Sequence, residues 1–335
     1  MEFSAAYTTV ETHTAGEPLR IVTGGVPPIP GGTILEKRRW AEEHLDHVRR
    51  ALMWEPRGHA DMYGAYLTEP VSAHAHVGVI FMHNQGYSDM CGHGIIALAT
   101  VAVAQGLVPR TSGETRVGID SPAGFIEAFV DWDGRQVGTV RFRNVPSFLH
   151  TRDLRVDTPS FGPVTVDIAF GGAFYAYLNA DQLGLTVTPA QLRALITAGD
   201  EIKHAVMAAA EITHPLEPEL RGIYGTILAG PPEAERNHQR NVCIFAEREV
   251  DRSPTGTGTA GRVAQLVARG RLELGNELRN ESIIGSTFTG RALERTTVGP
   301  YEAVVPEVAG KAAITGHATW LAQQGDRLGE GFLLR

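Results

Sequence analysis

The stretch MCGHGIIALATVAVAQG, residues 90–106, decides how this chain is read. A thiol, Cys91, stands ahead of Gly92-His93-Gly94, and Ala, Ile, Leu and Val follow with no charged residue. Residues 92–106 read as a helix apolar nearly all round, and such a helix is buried. The pattern returns in SPTGTGTAGRVAQLVARG, residues 253–270. Thr255-Gly256-Thr257-Gly258 lies over Cys91-Gly92-His93-Gly94, and a second helix runs from about 256 to 269. In both places a small nucleophilic side chain precedes Gly-X-Gly and an Ala/Val helix follows. The match implies an internal duplication and two like domains.

Strand patterns fill the rest of each half. Residues 6–30 alternate and carry turn residues. Residues 62–83 read as two strands about a turn at Glu69–Pro70, and further strands are expected at 115–119, 124–131 and 137–145. Residues 35–52 read as one amphipathic helix, with Leu45, Val48 and Leu52 on its apolar face. After Pro146 the patterns begin again. Strands are expected near 163–170 and 173–178, helices at 189–198 and 200–213, and strands at 222–229 and 240–247. The chain ends on strands near 282–288, 291–298, 301–306 and 311–322. The fold class is therefore α/β (α+β), strand-rich, with one buried helix per domain. The first domain is expected over 1–145 plus a C-terminal segment of about 318–335, and the second over 146–317.

Length and composition agree with this. A chain of 335 residues has two domains as its natural prior, and 43% hydrophobic residues suffice for two cores. The net charge is −8, and Lys37, Arg38 and Arg39 sit beside Glu36, Glu42 and Glu43. No basic block stands alone, so a nucleic-acid partner is not expected. Two cysteines, Cys91 and Cys243, cannot form a disulfide framework and fit a reducing compartment. The N-terminus lacks the form of a signal peptide, and the longest nearly apolar run, Gly94 to Leu107, is shorter than the roughly 20 residues a bilayer needs. A cytoplasmic protein with no membrane partner is expected.

The two turns suit acid–base chemistry at a carbon next to a carboxylate. A helix N-terminus offers unpaired N–H groups and a positive dipole end, and two glycines let a ligand come close. A thiol there has its pKa lowered from about 8.5, so more of it is thiolate near neutrality. His93 can assist as a donor to the substrate or as a nearby positive charge. Removing a Cα proton needs a base on the proton's face and donors for the enolate-like charge on the carboxylate. The turns supply both, so no metal and no cofactor is called for.

These residues resemble the proline racemase family from end to end. The resemblance rests on Thr12-His13-Thr14-Ala15-Gly16-Glu17-Pro18-Leu19-Arg20, on residues 55–65 (EPRGHADMYGA), on residues 84–94 (NQGYSDMCGHG), and on residues 251–259 (DRSPTGTGT). It implies the diaminopimelate-epimerase-like pair of α/β domains, each wrapping strands around a central helix, with the active site in the cleft between them. Racemases and 4-hydroxyproline epimerases of the family look alike in carrying a cysteine at each turn. Here the second position is Thr255, and an alcohol is far less acidic than a thiol. Two-base inversion is thus impaired, and the Cys/Thr pair is similar to that of the family's trans-3-hydroxy-L-proline dehydratases, whose product is Δ1-pyrroline-2-carboxylate. The resemblance makes Cys91 and Thr255 the catalytic pair. It places Gly92, His93, Gly256 and Thr257 against the substrate and Asp251 against the ring nitrogen. It also implies a cyclic imino acid as the small-molecule partner and a homodimer.

Two positions depart from the expected form. Gln85 stands where Glu is common, and Asp89 where a small hydroxyl residue is common. Asp89 is expected to point outward, because a carboxylate beside Cys91 opposes thiolate formation. Cys243 sits on an apolar strand pattern and reads as inert core. His74, His76, His83 and His93 follow no standard zinc spacing. His13, Thr14, His59 and Asp61 read as structural at least as readily as catalytic, and Thr255 as a plain N-cap of its helix. Three functions remain open: the dehydratase, an isomerase of the same family (proline racemase or 4-hydroxyproline 2-epimerase), and a binding protein for a cyclic amino acid that catalyses nothing.

Overall fold

A helix with no polar face must be covered on all sides, and the strands of each half exist to cover one. The computed structural model describes residues 2–334. Met1 and Arg335, the ends of the expected first domain, lie outside the described residues. The chain divides into two compact units: one runs to Val140 and resumes at Lys311, and the other is Arg141–Gly310.

In the first unit β1 (Phe3–Thr14) and β2 (Glu17–Gly24) form an antiparallel hairpin. Helices α1 (Ile34–His44) and α2 (Asp46–Met53) carry the chain over to β3 (Tyr63–Thr68), which runs parallel to β2. A parallel neighbour needs such a crossover. Strand β4 (Val77–His83) returns antiparallel to β3, and the two-residue β5 (Tyr87–Ser88) pairs with its end. Helix α3 (Gly92–Ala104) follows, then β6 (Gly113–Ser121), parallel to β4, and β7 (Gly124–Trp132), antiparallel to β6. Strand β8 (Val137–Arg143) leads into the second unit.

The second unit repeats that order. Strand β9 (Ser147–Thr158) pairs with β10 (Gly162–Phe170), and β11 (Phe174–Asn179) is antiparallel to β10. Helix α4 (Leu192–Ala209) crosses over to β12 (Gly225–Gly230), parallel to β11. Then come β13 (Gln239–Phe245), the short β14 (Glu249–Asp251), helix α5 (Gly256–Ala268), and β15 (Leu278–Ser282) parallel to β13. Strands β16 (Thr287–Val298) and β17 (Tyr301–Gly310) follow, and β17 reaches β9 to close a ring of eight strands. The last strand, β18 (Ala312–Gln323), rejoins the first unit antiparallel to β1. From the hairpin through the crossover to the short strand and buried helix, the two units share one sequence of parallel and antiparallel pairings. That identity of topology shows the duplication far beyond the two turns.

Strands pack around each central helix, and around α3 on all sides. Every residue of α3 from Gly92 to Val103 is buried, against β1, β2, β6, β7 and β18. Fully burying Ile95, Ile96, Leu98, Val101 and Val103 contributes about 1.5–3 kcal/mol each. Helix α5 packs against β9, β10, β11, β16 and β17, with Arg262, Leu266 and Ala268 left only partly buried.

Three expectations need correction. The helix expected over 35–52 is two helices, because Leu45 leaves helical geometry at φ −118°, ψ 9°. Its carbonyl accepts from the Val48 and Arg49 N–H groups and from the Tyr66 hydroxyl. The two helices expected about Gly199 are one, α4. Gly199 is there for close packing, since a Cβ would lie 2.6 Å from Cβ of Ile244 on β13. Strand β9 was not expected at all. Asp153 adopts φ 51°, and the pairing with β10 shifts register between Val166 and Ile168, so its sequence does not alternate.

Candidate active site

Cys91 is the N-cap residue of α3, in extended geometry at φ −142°, ψ 104°. Its Sγ takes the place of a capping oxygen and accepts from the Gly94 N–H at 3.2 Å. The sulfur also lies 3.1 Å from Nδ1 of His93 and 3.6 Å from its Nε2. When Nδ1 carries the proton it donates to sulfur and favours the thiolate, as does the helix end beneath. Cys91 is 3% exposed and His93 4%. Gly94 allows this approach, because a Cβ there would stand 2.9 Å from Sγ and 2.4 Å from Cε1 of Phe81.

The surroundings fix the pair. The Thr14 hydroxyl donates to the His93 carbonyl at 2.8 Å, and the Tyr63 ring meets the His93 ring edge-on at 4.9 Å. Tyr63 is held by a hydrogen bond between its hydroxyl and that of Ser88. Asp89 pairs with Arg38 of α1, so its charge is matched by a cation. Gln85 is exposed. The stretch before β3 is organised by Asn84, whose amide donates to the Met53 and His59 carbonyls and accepts from the Met62 N–H. His59 is turned to the neighbouring Ala60 carbonyl.

Thr255 occupies the corresponding place in the second unit with different geometry. Its backbone is at φ 65°, ψ 106°, left-handed territory that a β-branched residue rarely enters. Its side chain makes no capping hydrogen bond, so the reading of Thr255 as a plain N-cap is wrong. The chain arrives with φ positive, which turns the hydroxyl off the first turn of α5. Among the described residues the buried Thr255 Oγ1 has no hydrogen bond of good geometry. It is close enough to Asp251 to help hold that carboxyl's pKa down.

A dense network holds this turn. The Pro254 carbonyl accepts from Asn241, Asn280 and the Thr259 hydroxyl, at 3.1, 3.1 and 3.2 Å. The Thr255 N–H donates to the Ser253 hydroxyl at 3.0 Å, and the Ser253 N–H to Asp251 Oδ1 at 2.7 Å. Thr257 Oγ1 lies 2.7 Å from the hydroxyl of the buried Tyr175. Asp251 ends β14 and is 5% exposed. Burial pushes its carboxyl above the usual carboxylate range, against the opposite pull of Ser253, Thr255 and Arg252.

The structure thus gathers the singled-out residues in two groups: Cys91, Gly92 and His93 on α3, and Asp251, Thr255, Gly256 and Thr257 at α5. Cys243, on β13, is buried among core residues. Among the described residues no three His, Cys, Asp or Glu side chains gather as metal ligands. No described helix is long and apolar enough to cross a membrane. Tyr63, Ser88, Asn84, Tyr175, Ser253 and Asn280 escaped the sequence reading. Tyr63, Asn84, Ser88 and Ser253 fall within the quoted stretches but were given no role there, and Tyr175 and Asn280 lie outside them.

Comparison with known proteins identifies the family and the fold. The family model described as proline racemase matches residues 9–333. The chain is 58% identical over 335 residues, covering all of both chains, to a 3-hydroxyproline 2-epimerase of Burkholderia multivorans. It is equally 58% identical, over the full length of both, to a trans-3-hydroxy-L-proline dehydratase of Burkholderia cenocepacia. Among solved structures it matches a hydroxyproline epimerase from Agrobacterium vitis with bound trans-4-hydroxy-L-proline. That match has a TM-score of 0.92 at 30% identity and covers 100% of this chain and 97% of that one. By sequence over nearly its whole length, and by fold, the chain belongs to the proline racemase family.

Proposed function

We propose that the protein dehydrates trans-3-hydroxy-L-proline to Δ1-pyrroline-2-carboxylate, with Cys91 as the base that takes the Cα proton. The observation that carries this is the asymmetry of the turns. One presents a sulfur poised by the Gly94 N–H and His93, and the other an alcohol, Thr255, with no thiol to match it. In the trans-3-hydroxy-L isomer both the hydroxyl and the Cα hydrogen lie opposite the carboxylate. They leave from one face, so one base suffices. The thiolate of Cys91 takes the Cα proton, and the electron pair moves to Cα–Cβ as the C–O bond breaks. The Cys91 thiol returns a proton to the departing hydroxide, giving water. The enamine left behind tautomerises to the imine.

The other residues take supporting roles in this reading. N–H groups at the turns hold the carboxylate and its developing charge, which needs neither metal nor cofactor. Asp251 faces the ring ammonium, whose charge offsets the cost of a buried carboxylate. Thr255 donates a hydrogen bond to the substrate, and so satisfies a hydroxyl that is otherwise costly to bury. A cyclic imino acid is the expected ligand of the same residues.

A second reading, epimerisation of 3-hydroxyproline at Cα, is favoured by the 58% identical relative that bears that name. It shares the first step and differs in where the proton returns. Incubation with trans-3-hydroxy-L-proline and o-aminobenzaldehyde separates them: the dehydratase gives the coloured imine adduct, and an epimerase alone gives the cis-D isomer and none. Substituting Thr255→Cys should add inversion of proline or hydroxyproline at Cα. Absence of any inversion in a folded variant would overturn this account of the second turn.

A further inference from the structure

The second unit carries a basic cluster toward the C-terminal end of α5, away from Thr255. Two cavities of about 690 and 310 Å³ open there and share Asn179, Arg262, Leu266 and Arg271 in their walls. Three arginines meet at this place and are not alike. Arg269 is fully matched: it donates to both oxygens of Asp167 at 2.6 and 2.5 Å and reaches Asp153 at 2.7 Å. Gln265 also donates to Asp167, at 2.6 Å. Among the described residues Arg262, partly buried, donates only to neutral amide oxygens, those of Gln239 at 2.9 Å and Gln265 at 2.6 Å.

Among the described residues neither Arg262 nor the exposed Arg271 has a carboxylate within ion-pair distance. Glu277 lies on the wall of the larger cavity but is paired with Arg279 at 2.7 Å. Burial lowers the pKa of Arg262 and the nearby charges of Arg271 and Arg269 push the same way, while Tyr177 and Asp167 offset part of that shift from beyond hydrogen-bond reach. A cation withdrawn from water beside another cation is costly until an anion joins it. His238, on the same wall, accepts the Arg279 N–H on Nδ1 at 2.8 Å, so its proton sits on Nε2 as a further donor.

We propose that this cavity binds a phosphate-bearing small molecule, with Arg262 and Arg271 holding the doubly charged oxyanion. Planar guanidiniums match phosphate oxygens in pairs. Leu266, Leu272 and Pro231 on the wall suit an apolar body beyond the phosphate. The site lies toward the opposite end of α5 from Thr255 and rests on no assumption about the reaction.

Titration calorimetry of the full chain at fixed ionic strength tests it, with inorganic phosphate and phenyl phosphate as probes. Both should bind saturably, and phenyl phosphate the more tightly if the apolar wall contributes. Arg271→Gln should weaken both by about tenfold or more while leaving thermal unfolding of the free protein unchanged, since Arg271 is exposed. Arg262→Gln should weaken them further. The proposal is overturned by no saturable binding of either probe, by binding that both substitutions leave intact, or by neutral benzyl alcohol competing as well as phenyl phosphate.

Discussion

The turn at Cys91 and the turn at Thr255 occupy the same place in two copies of one topology, yet they are built on opposite terms. At the first, a relaxed extended residue uses its own side chain as the helix cap, so the sulfur is fixed over the dipole. At the second, the backbone is forced to φ 65° and the side chain caps nothing. The network on the Pro254 carbonyl and on the Ser253 hydroxyl holds the turn instead. Both turns keep one scaffold, and under the proposed reaction they divide the work: the first poises the base, and the second holds a group that cannot act as one.

The largest test of that division is chemical. Cys91→Ser should lower imine formation from trans-3-hydroxy-L-proline by on the order of 10³-fold, as loss of a general base does. Thr255→Ser keeps a hydroxyl and should lose less than about tenfold. Equal losses in the two variants would break the comparison. A second test is steric. Gly94→Ala and Gly258→Ala each place a Cβ 2.4 Å from a neighbour, Phe81 Cε1 in one and Ile227 Cδ1 in the other. Overpacking costs about 1–3 kcal/mol, and the tip of Ile227 can move where a ring cannot. Urea denaturation should therefore find Gly94→Ala the more destabilised of the two.

What the sequence showed and what it hid follow the range of the forces concerned. The buried helices, the Gly-X-Gly turns and the family were legible because each is a local pattern: apolar all round, two glycines, a thiol or hydroxyl ahead. Both turns were located from the local pattern, whereas the roles expected of their residues came from the family resemblance. The hidden parts depend on partners far along the chain. Gly199 reads as a helix breaker until Ile244 of β13 is seen against it. Strand β9 loses its alternation where Asp153 and its bulge meet β10. The positive φ of Thr255 is imposed by Asn241, Asn280 and Ser253, and nothing in Thr-Gly-Thr-Gly announces it. Tyr175 reaches Thr257 from another strand altogether.

Backbone strain offers a smaller test. A threonine held at positive φ stores about 1–3 kcal/mol that glycine does not. Thr255→Gly gives up a buried methyl, worth about 0.8 kcal/mol, and adds freedom to the unfolded chain. Cys91→Gly gives up burial with no strain to release. Denaturant titration should find Thr255→Gly at least about 1 kcal/mol less costly than Cys91→Gly. The reverse order would mean that the left-handed geometry at Thr255 is not strained.

The smallest effect concerns Asp251, which has no acidic counterpart at the first turn, where Asp89 is matched by Arg38. Burial raises the Asp251 carboxyl above its ordinary value of 3.8 in the free protein. For a group raised on folding, the stability it contributes is full below the unfolded value and is lost as pH climbs through the folded one. Asp251→Asn keeps an acceptor for the Ser253 N–H and removes that loss. Wild type and variant should therefore unfold alike below about pH 3.8, and the variant should become the more stable as pH rises toward neutrality. Under the proposed reaction a proline-like ligand brings a positive charge to Asp251, so its binding should narrow the gap by stabilising the wild type more than the variant. Differential scanning calorimetry across that range, with and without ligand, reads both effects. A pH-independent difference would show that Asp251 is no more costly to ionise in the fold than outside it. The contrast between a turn that matches its carboxylate and a turn that leaves one for the substrate would then fail.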